Sequence, residues 1–300
     1  MTKWEINVGR GFGVGIGLMS FITLINAALI GVAASQPIAI GTFVIGVSVT
    51  FGFALVGLIA YWVYGLTSSS YELDRNALVI HWGPSQQVIP LGDIERVFTG
   101  DEMAGRAHFH GAGWPGHWVG FGEIEDGDAT LFYATEPPRK QIFVATPGLV
   151  YGISPADAEA FLASLQKRVE MGPTQGVEQS SRRPSILEWG LWQDRLGLAL
   201  IGAGAVALVG LLGLLSYRFQ ALPLLIPLHF SAWGAPLRLG PRADIFVIPL
   251  IGLVALLVNG ALGGLLYRRD RVASYLLWGG ALLVQLLTWI AALELLRYAL

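Results

Sequence analysis

Hydrophobic positions fall into five long uninterrupted runs, and one polar stretch separates the second run from the third. The pattern predicts membrane-crossing helices over 11–34, 39–66, 196–217, 245–267 and 272–296. Each run is long enough for a helix to cross a hydrocarbon core of about 30 Å. The first is too long for the apolar segment of a cleaved leader, and the second follows almost at once, so it reads as a retained span. Ser35, Gln36 and Pro37 make the turn of a tight helical hairpin. Tyr61, Trp62 and Tyr64 end the second span as an aromatic belt does at a membrane interface. The organisation expected is an N-terminal transmembrane hairpin (1–67), an inserted polar domain (68–170), a flexible linker with an interfacial segment (171–193) and a C-terminal membrane domain (194–300).

Inside the polar insert the period changes. Short β-branched or alternating runs cover Leu78 to Trp82, Gln87 to Pro90, Trp118 to Ile124, Thr130 to Thr135, Gln141 to Thr146 and Val150 to Ile153. Gly, Pro, Asp and Asn clusters separate them, as in an antiparallel sandwich or a partly open barrel. Ser154-Pro155-Ala156-Asp157 then predicts a helix start, with Ser154 as N-cap. Ala158, Phe161, Leu162, Leu165 and Val169 follow at helical spacing and form one apolar face. The fold class expected is therefore a multi-span α-helical membrane protein with an inserted α+β domain, a β-sandwich or barrel closed by a C-terminal helix. Gly172 to Ser185 reads as flexible linker, and Trp189 and Trp192 as interfacial anchors.

Composition agrees with the pattern: 54% of residues are hydrophobic and 13% charged, where a soluble domain is about a quarter charged. The absence of cysteine excludes disulfides, thiolate nucleophiles and Cys-ligated metals. Charge is unevenly placed. From Ser68 to Trp192 there are 16 acidic residues against 9 basic ones, a net of −7. That balance argues against a nucleic-acid surface and against anionic-lipid binding by the insert. Near the span ends, nine Lys or Arg lie on the N-terminal side of the membrane and four on the other. The positive-inside rule then puts the N-terminus and the insert in the cytoplasm and the C-terminus outside.

Three strings carry a resemblance. They are Tyr71, Leu73, Leu78 and Ile80; Ile89-Pro90-Leu91 with Ile94 and Val97; and Ile153-Ser154-Pro155 with Phe161, Leu162 and Leu165. Together, over roughly Ser70 to Val169, they resemble the bacterial pleckstrin-homology-like (PH) domain of membrane proteins. The resemblance implies a fold and a place at the membrane, but no chemistry. A second string, Leu222-Pro223 through Ile226-Pro227, His229-Phe230 and Gly234, is similar to a loop of a bacterial membrane family that includes peptide-toxin immunity proteins. That likeness implies an extracytoplasmic, ligand-facing surface. The chain departs from the family pattern after Gly234.

Candidate chemistry is sparse. His229 with Arg238 and Arg242 could bind an anionic or peptide ligand. His108 and His110 would share a strand face, with His117 further on, but this spacing alone does not define a metal site. Glu294 near the end of the fifth span has Arg297 as a ready partner, and Asn259, Gln285 and Thr288 suit hydrogen bonds between helices. Gly9, Gly13 and Gly17, like Gly260 and Gly264, stand four apart and suit close helix packing. No phosphate loop or hydrolase string is present. The expected protein is a non-catalytic scaffold, sensor or accessory subunit without catalytic residue, metal or cofactor, joined to a protein partner or to copies of itself. A peptide-sensing immunity or signalling protein is the first alternative. A transporter or intramembrane enzyme using Glu294, Asn259 and Gln285 is the second.

Overall fold

In a computed structural model, which describes residues 2–103, 107–124, 127–182, 189–230 and 236–299, the insert folds as two sheets and a helix. The first sheet is built from β1 (Thr2–Trp4), β2 (Ser70–Leu73), β3 (Ala77–Trp82), β4 (Ser85–Pro90) and β11 (Ser180–Arg182), adjacent in that order. The second contains β5 (Arg96–Thr99), β6 (His108–Trp114), β7 (His117–Glu123), β8 (Ala129–Ala134), β9 (Ile142–Thr146) and β10 (Leu149–Ile153). Its spatial order is β5-β9-β10-β8-β7-β6. The expected all-antiparallel arrangement needs one correction: β10 pairs with β8 in parallel, Val150 opposite Thr130 and Ile153 opposite Tyr133.

The alternation that marked the strands places their apolar side chains in a common core. Leu73, Leu78, Ile80 and Ile89 of the first sheet pack with Ile142, Val144, Tyr151 and Ile153 of the second. Helix α3 (Ala158–Met171) adds Phe161 and Leu165 to that core. Its N-cap is Asp157, whose carboxylate accepts from the Ala160 N–H at 2.9 Å, and not Ser154. The Ser154 hydroxyl instead accepts the Thr135 N–H at 2.7 Å and joins the two strand ends.

Two further segments join this domain. The N-terminal strand β1 pairs with β2, Thr2 opposite Leu73, and Trp4 meets Phe161 edge to face at 5.4 Å. The segment read as flexible linker is held for part of its length. Asn76 Oδ1 accepts from the Thr174 N–H at 2.7 Å, the Thr174 hydroxyl at 3.0 Å and the Gln175 N–H at 3.2 Å. The chain then forms β11 on the edge of β4, Ser180 opposite Val88. The rest of that reading, 183–188, lies outside the described residues.

Five helices are long and apolar enough to cross a membrane. They are α1 (Gly9–Ala34), α2 (Ile40–Thr67), α4 (Arg195–Arg218), α5 (Val247–Leu266) and α6 (Arg271–Ala299). The chain forms two compact units: Met1–Ile25 with Gly52–Glu188, and Asn26–Phe51 with Trp189–Leu300. The bases of α1 and α2 thus belong to the unit of the β-domain. In the second unit α4, α5 and α6 pack together, and Gln285 reaches across from α6 to donate to Gly252 O at 2.7 Å. Asn259 and Thr288 bond instead to carbonyls of their own helices, Ala255 and Gln285. Of the glycines singled out by their spacing, only Gly264 is closely packed, a Cβ there lying 3.1 Å from Trp189. A Cβ on Gly13, Gly17 or Gly260 would meet nothing within 4 Å, whereas one on Gly15 would lie 2.4 Å from Val63 and one on Gly263 2.3 Å from Trp278.

Candidate functional site

The base of the helical hairpin is locked to the β-domain by two turns, and a cavity lies beside them. The β6–β7 turn, Trp114-Pro115-Gly116-His117, carries Gly116 at φ +94°. A Cβ there would sit 2.2 Å from Gly11 N, and one on Gly11 would sit 2.1 Å from Gly116 O. Only two facing glycines permit that approach of backbone to backbone. The Trp114 indole N–H then donates to Gly11 O at 3.2 Å. The β3–β4 turn repeats the device on α2: Gly83, at φ +57°, stands against Gly65, whose Cα would lie 3.1 Å from an added Cβ. The same α2 turns carry Tyr61 and Trp62, and Trp62 meets Trp114 at 5.6 Å.

A cavity of about 400 Å³ opens between α2 and the two sheets, within the range of small-molecule sites of about 300–1,000 Å³. Among the described residues its wall takes Tyr61, Trp62, Trp82, His117, Leu131 and Tyr133 with others, and no Asp, Glu, Lys or Arg. His117 is its most unusual member. The residue is 1% exposed, its ring stacks on Trp114 at 4.1 Å, and Trp82 meets it edge on at 6.0 Å. Its Nδ1 lies 3.0 Å from Ala112 O. A carbonyl can only accept, so Nδ1 carries the proton and Nε2 presents a lone pair. That Nε2 is buried without a hydrogen-bond partner. Burial pushes the imidazole below its ordinary pKa, so the ring stays neutral.

A second feature lies on the opposite edge of the same sheet. Among the described residues β5 is an end strand, hydrogen-bonded only to β9. Gly100 N–H bonds Gln141 O at 2.8 Å. By antiparallel alternation, the backbone groups of Val97 and Thr99 therefore face away from β9. Beside this edge a groove of about 510 Å³ runs between β5 and α3, lined by Ile94, Val97, Leu162, Leu165 and Val169 with Glu95, Arg96, Gln166 and Glu170. Val169, read as part of the buried stripe, is 40% exposed there.

The residues expected to bind a ligand are brought together only in part. The loop after α4 is a hairpin of β12 (Leu225–Phe230) and β13 (Pro236–Pro241), with His229 directly opposite Arg238. The side chains of these two residues lie outside the described set, as do Gly234 and its neighbours. Arg242 is turned back on the helices: its guanidinium lies 4.7 Å from the Phe219 ring and reaches Leu222 O at 3.4 Å. Glu294 and Arg297 are both exposed on α6. His108 and His110 lie on the exposed β6, where His110 stacks on Phe121 at 5.7 Å. Among the described residues no three His, Asp or Glu side chains converge, since His117 is buried elsewhere.

Sequence reasoning missed one polar cluster in the C-terminal unit. Asp194 caps α4 through the N–H groups of Leu196 and Gly197, at 3.1 and 3.0 Å. Its other oxygen accepts the Tyr267 hydroxyl at 2.8 Å and the Tyr275 hydroxyl at 2.6 Å. These bonds, that from Tyr275 first, hold its carboxyl below the usual carboxylate range. An acidic residue just before an apolar run was the available signal. The two tyrosines are far away in sequence and gave none. The cluster fastens the start of α4 to α5 and α6.

Residues 69–169 match the family model of the bacterial PH domain. No curated protein and no solved structure matches the chain. The match spans the two sheets and α3 but excludes β1, β11 and all five apolar helices. A domain of this family suits a role in protein interaction or membrane association.

Proposed function

We propose that the protein is a non-catalytic docking protein of the bacterial inner membrane, whose PH-like domain holds a protein partner at the cytoplasmic face. One observation carries the reading: the open edge of β5 runs beside the apolar groove against α3. An extended peptide can add to such an edge through its backbone and seat alternate side chains in a groove. Glu95 and Glu170 outnumber Arg96 in the groove, and with the net charge of −7 over Ser68 to Trp192 they favour a partner segment with basic residues. The facing glycines at the hairpin base fit a domain held at a set height above the bilayer, not one swinging on a tether. The excess of Lys and Arg on the N-terminal side supports the cytoplasmic placement.

Extraction in mild detergent, followed by mass measurement of the intact complex, tests this function. The expected result is a stoichiometric second polypeptide that is lost in Val97→Pro, which removes an outward backbone donor. A strictly monomeric protein, or a complex indifferent to Val97→Pro, would count against it.

A further inference from the structure

We propose that the β6–β7 hairpin is seated in the headgroup layer of the bilayer, anchored by Trp114 and Phe121, as a third membrane contact of the domain beside α1 and α2. The proposal rests on α1 and α2 crossing the membrane, and is independent of partner docking at β5. Two observations point to lipid against this hairpin, and a third sets its depth. The first is the level of its contacts. α1 has 26 residues and α2 has 28. Each is therefore about 40 Å long, and exceeds a hydrocarbon core of about 30 Å by roughly 5 Å at either end. Gly11, close to the start of α1, then stands in the headgroup layer, while Gly15 and Tyr61 stand just inside the hydrocarbon boundary. The hairpin reaches both levels. Gly116 meets the Gly11 backbone, and the Trp114 ring would lie 3.9 Å from a Cβ on Gly15. Phe121 lines the same cavity as Tyr61. The second observation is the character of the surface. His108, His110, Gly111, Gly113 and Phe121 are exposed, yet Ala107 to Gly122 contain no Asp, Glu, Lys or Arg, in an insert of net charge −7. Phe121 is 64% exposed, and with Tyr61 and Tyr64 of α2, 44% and 57% exposed, it carries the aromatic belt from the helix onto the sheet. Third, β6 ends its sheet among the described residues. Its pairing with β7 closes on Trp114 opposite His117, so by alternation the backbone groups of Phe109, Gly111 and Gly113 point outward. Hydrocarbon would leave those groups unpaired, whereas headgroup oxygens and interfacial water can bond them, which holds the hairpin at the headgroup level.

The chain contains no cysteine, so an introduced thiol carries a fluorescent nitrobenzoxadiazole label at one site alone. Labels at His110→Cys and, independently, Phe121→Cys test the proposal in the full chain in phosphatidylcholine nanodiscs. These residues stand directly opposite one another on one face. The quenchers are iodide in the water and lipids with a nitroxide near the top or near the middle of the acyl chain. Two further labels serve as references. Phe51→Cys, 70% exposed near the middle of α2, reports the span itself. Pro147→Cys reports water, since it is exposed in the β9–β10 turn, at the end of β10 away from Pro155, which pairs with Ile6 just before α1. The expected result is quenching at 110 and 121 by the upper nitroxide, with iodide quenching several-fold weaker than at 147. Phe51→Cys should respond most to the deeper nitroxide. Iodide quenching at 110 and 121 equal to that at 147, without lipid quenching, would overturn the seat of the hairpin and leave the span intact. Quenching by neither agent would show protein over this face and overturn lipid as its occupant. No lipid quenching at Phe51→Cys would overturn the crossing of α2 and the proposal with it. Thermal unfolding checks each labelled variant, and either hairpin site decides alone if the other fails to fold.

Discussion

Single buried groups decide more in this domain than its composition suggests. Tyr71 is fully buried, and its hydroxyl donates to Tyr133 O at 2.6 Å while accepting the Ser154 N–H at 3.0 Å. Tyr71→Phe removes both of these buried hydrogen bonds and should cost about 1–3 kcal/mol, read as a lower unfolding midpoint of the domain. Burial also raises the phenol above its ordinary value of 10.0. The unfolded chain therefore loses the Tyr71 proton first. Its contribution is complete below pH 10.0 and is lost as the pH rises above it. Stability measured from pH 9 to 11 should thus fall less steeply in Tyr71→Phe than in the wild type, and parallel slopes would contradict this account. Gly116 makes the opposite kind of demand. Gly116→Val meets a positive φ and the Gly11 backbone together, with strain of about 1–3 kcal/mol and overpacking of about the same size. It should shift the emission of Trp114 as the turn leaves α1.

At the scale of elements, what could be read in advance was what side chains encode. The five helices announced themselves because each is apolar on all sides, and β3, β8, β9 and β10 because their inward residues are β-branched or aromatic. Strands β1, β6 and β11 did not. Thr-Lys-Trp, the glycine-rich β6 and Ser-Ser-Arg carry no alternation, and their pairing rests on backbone groups and on neighbours that only the folded domain provides. The glycine spacing misled for a related reason. A four-residue repeat defines a helix face but not whether anything stands against it: in α1 the occupied positions are Gly11 and Gly15, and in α5 Gly263 and, of the repeat, Gly264. The aromatic residues of the cavity were visible singly in α2, β3, β7 and β8, but their meeting depends on the two glycine contacts. Held by Asn76, the linker gives a prediction of its own. Asn76→Ala removes the acceptor of three hydrogen bonds and should release 173–182, seen as faster tryptic cleavage after Arg182 with unchanged melting of α3 and the sheets. Cleavage at the wild-type rate would show that β11 and the bond from Gln179 to the Tyr151 hydroxyl hold the segment without it.

The whole molecule combines five helices able to cross a bilayer with a β-domain fixed on two of them. In its C-terminal unit Asp194 fastens α4 to α5 and α6, and its depressed pKa has a definite sign. The carboxylate stabilises the folded state above the ordinary value of 3.8, and that stabilisation is lost as the pH falls through the lowered folded value. Asp194→Asn should therefore unfold more readily at neutral pH and show a weaker loss of stability on acidification, measured by thermal unfolding in detergent. The docking account makes the most exposed claim, because it assigns a partner to one edge of one sheet. Site-specific photocrosslinking tests it in intact membranes, with a photoreactive residue in place of Leu162, on the groove side of α3. The account predicts one discrete adduct that disappears when Val97→Pro is added. Absence of any adduct, or an adduct undiminished by Val97→Pro, would contradict it.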